Sequence, residues 1–85
     1  MINPDFKDLT DVMCRTFGQT NLQIGPEMTS AEVPGWDSLS HVMLMLEIEK
    51  TFGVLLPADK MAKLDNVGEL YEALLAAVKL IDERR

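Results

Sequence analysis

Apolar side chains return at three- and four-residue steps in three separate stretches of this chain, and no two stretches alternate in the manner of a strand pair. A helical period met this often confines the chain to helix-on-helix packing. Over Asn3 to Phe17 the recurring residues are Phe6, Leu9, Val12, Met13 and Phe17, with Asp5, Lys7, Asp8, Asp11 and Arg15 directed elsewhere. Pro4 suits the first turn of such a helix and Gly18 its end. The last stretch opens at Asn66 and Glu69, which resemble a capping box, and continues through Val67, Leu70, Tyr71, Leu74, Val78 and Ile81. Glu83, Arg84 and Arg85 are expected to fray.

The middle stretch differs from the other two. Asp37 is placed to accept amide hydrogen bonds at the start of a helix running from Ser38 to Phe52, with Gly53 as its stop. At about 100° per residue, Leu44, Met45, Ile48 and Phe52 form one apolar sector, and Leu39, Val42, Met43 and Leu46 form another on the opposite side. A small bundle seldom buries both, and periodicity does not say which is core. The surplus face is a candidate for partner docking. Pro57 then opens a short helix, expected over Ala58 to Leu64, which Asp65 and Asn66 interrupt. The expected fold is all-α: a small four-helix bundle of three longer helices and one short third helix.

Between Gly18 and Asp37, Gly25, Pro26, Pro34 and Gly35 break any regular element, while Leu22, Ile24, Met28 and Val33 are spaced to pin a long loop to the core. Loops of this length usually carry function, so this one needs an explanation.

The chain has 85 residues, enough for a single domain, 1–85, and too few for two. Its 47% hydrophobic and 26% charged composition is that of a chain that folds. Fourteen acidic against eight basic residues give a net charge of −6, which repels phosphate backbones and argues against a nucleic-acid partner. No apolar run approaches the ~20 residues needed to span a bilayer, and the first residues lack the basic start and apolar run of a secretory signal. A cytoplasmic location is expected. Cys14 is the one cysteine, which excludes an internal disulfide and reads as a packing residue near a helix end.

No catalytic or metal-ligand set assembles from one histidine and one cysteine, and no glycine-rich phosphate loop is present. The informative segment is Gly35-Trp36-Asp37-Ser38-Leu39. A serine at a helix start exposes its hydroxyl, and a phosphodiester there would face free backbone amides and the positive end of the helix dipole. Taken alone, Asp-Ser-Leu is explained better by simple capping.

The wider arrangement is Asp37-Ser38-Leu39, then Val42, Leu44, Glu49, Phe52-Gly53 and Pro57, all within a short acidic chain. This resembles the acyl and peptidyl carrier protein family over essentially the whole length. The resemblance implies a non-catalytic domain whose Ser38 receives 4′-phosphopantetheine from coenzyme A through a phosphopantetheinyl transferase. It also implies cargo held as a thioester on the arm, delivered by an acyl- or aminoacyl-loading enzyme and used by a downstream synthase or transferase. Asp37, Leu39, Val42, Met43, Leu46 and Glu47 are then the docking candidates, and the domain is expected to act as a monomer. The long loop would serve to expose the serine.

Ser40 and Met43 stand where familiar fatty-acid members place acids, as do Ala58, Lys60 and Ala62 in the short helix, although Asp59 remains. Charge complementarity governs partner choice, so these departures favour a specialised fatty-acid, polyketide or nonribosomal-peptide-like pathway. The alternative is an unmodified helical adaptor docking through Leu39, Val42, Met43 and Leu46. A small thioesterase would require His41, three residues beyond Ser38, to act as its base. His41 is otherwise expected to be half-buried and hydrogen-bonded, Trp36 to anchor the loop, and most of the six methionines to fill core, with Met43 exposed.

Overall fold

The computed structural model describes residues 3–20 and 22–83. Asp5 starts the first helix, α1 (Phe6–Phe17), with a reciprocal capping box: Asp8 N–H donates to the Asp5 carboxylate at 2.8 Å and Asp5 N–H to the Asp8 carboxylate at 3.0 Å. Pro4 therefore precedes the cap and does not occupy the first turn. Its carbonyl instead accepts the Tyr71 hydroxyl at 2.9 Å, tying the start of α1 to the last helix.

The second helix, α2 (Ser38–Phe52), has the bounds expected of it, from the Asp37 cap to a left-handed Gly53. The third, α3 (Ala58–Met61), is shorter than expected. Its ladder stops at Ala62, and Leu64 is left half-buried on the way to Asp65. Asn66 accepts the Glu69 amide at 2.9 Å at the head of α4 (Val67–Glu83). The Glu69 carboxylate reaches one residue farther back than a capping box requires, to Asp65 N–H at 2.9 Å. Glu83 closes α4 and is helical, contrary to the expected fraying; Arg84 and Arg85 lie outside the described residues.

Leu9, Val12 and Met13 of α1, Leu44 and Ile48 of α2, Met61 of α3 and one face of α4 share a single core. Val33 and Trp36 from the long loop are buried in it too. The radius of gyration, 12.2 Å, is near the ~12 Å expected of a compact chain of this length. No strand occurs among the described residues, and no helix there is long and apolar enough to cross a membrane.

Among the described residues, the loop between α1 and α2 contains one 3-10 turn, Ser30–Glu32, and two further turns closed by the Met28 amide on the Gly25 carbonyl and the Trp36 amide on the Val33 carbonyl, both at 3.2 Å. It also completes α4. The carbonyls of Met28 and Pro26 accept the amides of Val67 and Gly68 at 2.9 and 2.7 Å, satisfying first-turn donors that no helical carbonyl can reach. Gly68 permits this approach, since a Cβ there would lie 3.0 Å from the Pro26 oxygen. Toward the end of α2, the Glu49 carboxylate accepts Leu56 N–H at 2.8 Å and so fixes the connection from α2 to α3.

Candidate functional site

Asp37 and Ser40 close the first turn of α2 on itself. Ser40 N–H donates to the Asp37 carboxylate at 2.9 Å, and Asp37 N–H donates to the Ser40 hydroxyl at 2.8 Å. That hydroxyl in turn donates to the Gly35 carbonyl. The Ser40 amide favours the ionised form of Asp37, as does the Ser40 hydroxyl 3.0 Å from the carboxylate, and in that order they hold the carboxyl below the ordinary 3.8. Capping thus falls to Asp37 and Ser40, leaving Ser38 exposed at the first helical position, its side chain hydrogen-bonded to none of the described residues.

Gly35 sets the approach to this turn. Its φ of 87° lies in the left-handed region, and a Cβ would sit 3.2 Å from that of Phe17, so the loop passes directly against the end of α1. Trp36 follows, buried, with its ring 5.9 Å from that of Phe17. Its indole Nε1–H donates to His41 Nδ1 at 3.0 Å. An indole only donates, so Nδ1 is the acceptor and the imidazole proton sits on Nε2, from which it reaches the Met61 carbonyl at 3.1 Å. Both ring nitrogens are engaged away from Ser38. No Ser38–His41 dyad is formed, which removes the basis for a thioesterase.

Ser38 opens onto a cavity of about 470 Å³ whose walls include Trp36, Asp37, His41, Leu64 and Asn66. Beyond His41 lies an apolar groove of about 340 Å³ between α2 and α3, lined by Val42, Met45, Leu46 and Leu56 among others. Sequence reasoning had not located either space, because both depend on where α3 falls against α2.

The two apolar sectors of α2 separate cleanly. Leu44 and Ile48 are fully buried and Met45 and Phe52 half-buried, whereas Leu39 is 73% exposed, Leu46 61%, Val42 56% and Met43 49%. Glu47 adjoins Met43 on this side of the helix and is half-buried: its carboxylate lies 3.7 Å from Arg15, whose guanidinium also donates to the Thr51 hydroxyl at 3.1 Å. No acid occupies the first turn of α2.

Residues 7–74 match the family model described as a phosphopantetheine attachment site. The acyl carrier protein of Helicobacter pylori strain ATCC 700392 / 26695 is 32% identical over 65 residues, spanning 76% of this chain and 83% of that protein. That of Rickettsia bellii strain OSU 85-389 is 42% identical over 48 residues, or 56% of this chain and 59% of the relative. The solution structure of holo acyl carrier protein from Geobacter metallireducens superposes with a TM-score of 0.86, covering 96% of this chain and 94% of the other. At 24% identity this last likeness speaks for the fold alone. A phosphopantetheine arm fits the residues found here: an unengaged, exposed hydroxyl at the positive end of a 15-residue helix, beside a cavity with both polar and apolar walls. The chain belongs to the phosphopantetheine attachment site family, as a carrier protein of the acyl carrier type that holds a covalent 4′-phosphopantetheine and is not itself an enzyme.

Proposed function

We propose that Ser38 is the attachment residue and that cargo is presented to partner enzymes from the cavity beside it. The observation that carries this reading is the division of labour in the first turn of α2. Asp37 and Ser40 satisfy the helix start between them, so the Ser38 hydroxyl is spared for modification. The arm supplies the terminal thiol on which cargo rides as a thioester. This chain's own part is to hold the attachment point at the end of a rigid helix and to offer Leu39, Val42, Met43 and Leu46 as the docking face, with Asp37 at its tip. A tether of this kind raises the local concentration of cargo at a docked enzyme without any new contact.

A phosphopantetheinyl transferase, a loading enzyme and a downstream synthase or transferase are the partners this reading requires. The pathway is a specialised one of fatty-acid, polyketide or nonribosomal-peptide-like chemistry. The support for that is the character of α2: its first turn carries no acid, Ser40 is committed to capping, and the exposed face is dominated by apolar side chains. Partners for such a face bury apolar area and depend less on charge than partners of an acidic helix would.

The test is incubation with coenzyme A, magnesium and a promiscuous phosphopantetheinyl transferase, followed by intact mass. One added arm, lost in Ser38→Ala, is expected. An unchanged mass would leave the exposed α2 face as that of an unmodified adaptor.

A further inference from the structure

His41, Met61 and Ala62 line both the cavity beside Ser38 and the apolar groove between α2 and α3. The two spaces therefore share a wall, and the hydrogen bond from His41 Nε2–H to the Met61 carbonyl crosses it. The other ring nitrogen is held by Trp36, whose indole is buried against Phe17 and lies nearly coplanar with the imidazole, at 11° between planes. One imidazole thus links the loop before Ser38, the body of α2 and the end of α3. The link depends on a particular charge state, since Nδ1 must accept while Nε2 donates. Only the neutral Nε2–H tautomer does both.

We propose that His41 is a positioning residue that ties both α3 and the Trp36 loop to α2 and keeps the Ser38 cavity apart from the apolar groove, and that protonation of its ring releases the Trp36 side of this latch. A proton on Nδ1 would set an N–H against the Trp36 N–H, and the indole bond is lost. The Nε2–H bond to the Met61 carbonyl survives protonation, so α3 stays tied while Trp36 withdraws its support from the ring and the wall loosens on the loop side. The ionisable groups lining the two spaces with His41 are Asp37 and Asp65 on the Ser38 side and Glu49 on the groove side; among the described residues no lysine or arginine lines either. Glu49 is bonded to Leu56 N–H and Asp37 to the Ser40 amide, and none of the three carboxylates is hydrogen-bonded to the imidazole. An imidazole is the side chain suited to change charge between about pH 5 and about pH 8. The consequence for cargo rests on the carrier reading: an apolar chain on an arm at Ser38 would pass this wall to reach Val42, Met45 and Leu46.

The latch is tested on the unmodified protein by NMR of the imidazole nitrogens, the indole proton of Trp36 and the Met61 and Ala62 amides, from about pH 8 to about pH 5. The neutral Nε2–H tautomer is expected at the upper end, with all four signals shifting at a common midpoint as the pH falls. His41→Gln offers an acceptor and a donor on one planar group and should hold the indole signal at its bonded position throughout. His41→Phe should hold it at the unbonded position. An Nδ1–H tautomer at high pH, or an indole signal that ignores protonation of His41, would overturn the latch, and wild-type spectra alone decide this if His41→Phe does not fold. For the wall, an arm on Ser38 loaded with a short saturated acyl chain should shift Val42 and Met45 in His41→Phe but not in wild type at about pH 8. Equal shifts in both would overturn the wall's role. Failure of Ser38 to accept the arm would contradict the carrier reading and leave the latch titration intact.

Discussion

Asp37 and Ser40 each accept the other's backbone amide, at 2.9 and 2.8 Å, so the turn that presents Ser38 is closed without using it. Removing the Ser40 hydroxyl deprives Asp37 N–H and the Gly35 carbonyl of a partner together. Ser40→Ala should lower stability by about 1 kcal/mol in urea denaturation, a typical cost for a lost cap or hydrogen bond.

The same pair sets an acid response. The Asp37 carboxyl is held below its ordinary 3.8 in the folded chain, so its stabilising effect is complete above that value and is lost as the pH falls through the lower, folded one. Urea midpoints measured downward from about pH 5 should fall, and Asp37→Asn should flatten that fall without abolishing it. A slope unchanged in Asp37→Asn would show that other carboxyls account for it all.

How far the sequence could be read differed from one element to the next. The bounds of α2 were legible because Asp37 and Gly53 are local signals that act within one turn. Its inward face was not legible from periodicity, because both sectors are apolar; only the family resemblance, which gave the Leu39 side to docking, turned Leu44 and Ile48 inward, where they are fully buried. Pro4 was misplaced by one local rule competing with another: Asp5 and Asp8 make a stronger start than a proline in the first turn. The exposed serine was visible in the motif, whereas the Trp36–His41–Met61 chain spans 25 positions of sequence and needs the bundle to exist first.

The sorting of the α2 faces gives a paired expectation. Leu44→Ala should cost about 2–5 kcal/mol, as truncation of a fully buried leucine does, whereas Leu46→Ala should stay within about 0.5 kcal/mol. Leu46→Ala should instead lower the kcat/KM of arm transfer several-fold. Comparable losses of stability from the two would contradict the assignment of faces.

Gly68→Ala sets two effects against each other. Alanine gains about 1 kcal/mol of helix propensity over glycine, but its Cβ would press on the Pro26 oxygen at 3.0 Å and the Pro26 Cβ at 3.3 Å. Backbone yields less readily than a flexible side chain, and overpacking costs about 1–3 kcal/mol. Net destabilisation is expected, with faster hydrogen exchange at Val67 and Gly68, the two amides that the loop satisfies.

Arg15 reaches both Glu47 and Thr51, but the pair with Glu47 lies at the surface and is 3.7 Å apart. Glu47→Gln should change stability by less than about 1 kcal/mol, by an amount that shrinks further with added salt.

The most direct measurement is site-resolved mass spectrometry of the chain after transfer of the arm from coenzyme A. Ser30, Ser38 and Ser40 are the serines of the chain, and Ser30 and Ser38 both border the same cavity. Fragment ions should place the arm on Ser38 alone, with Ser40→Ala modified at the same position and Ser38→Ala not modified at all. An arm found on Ser30 or Ser40, or on Ser38→Ala, would contradict the assignment of Ser38 as the residue that the capping of α2 sets free.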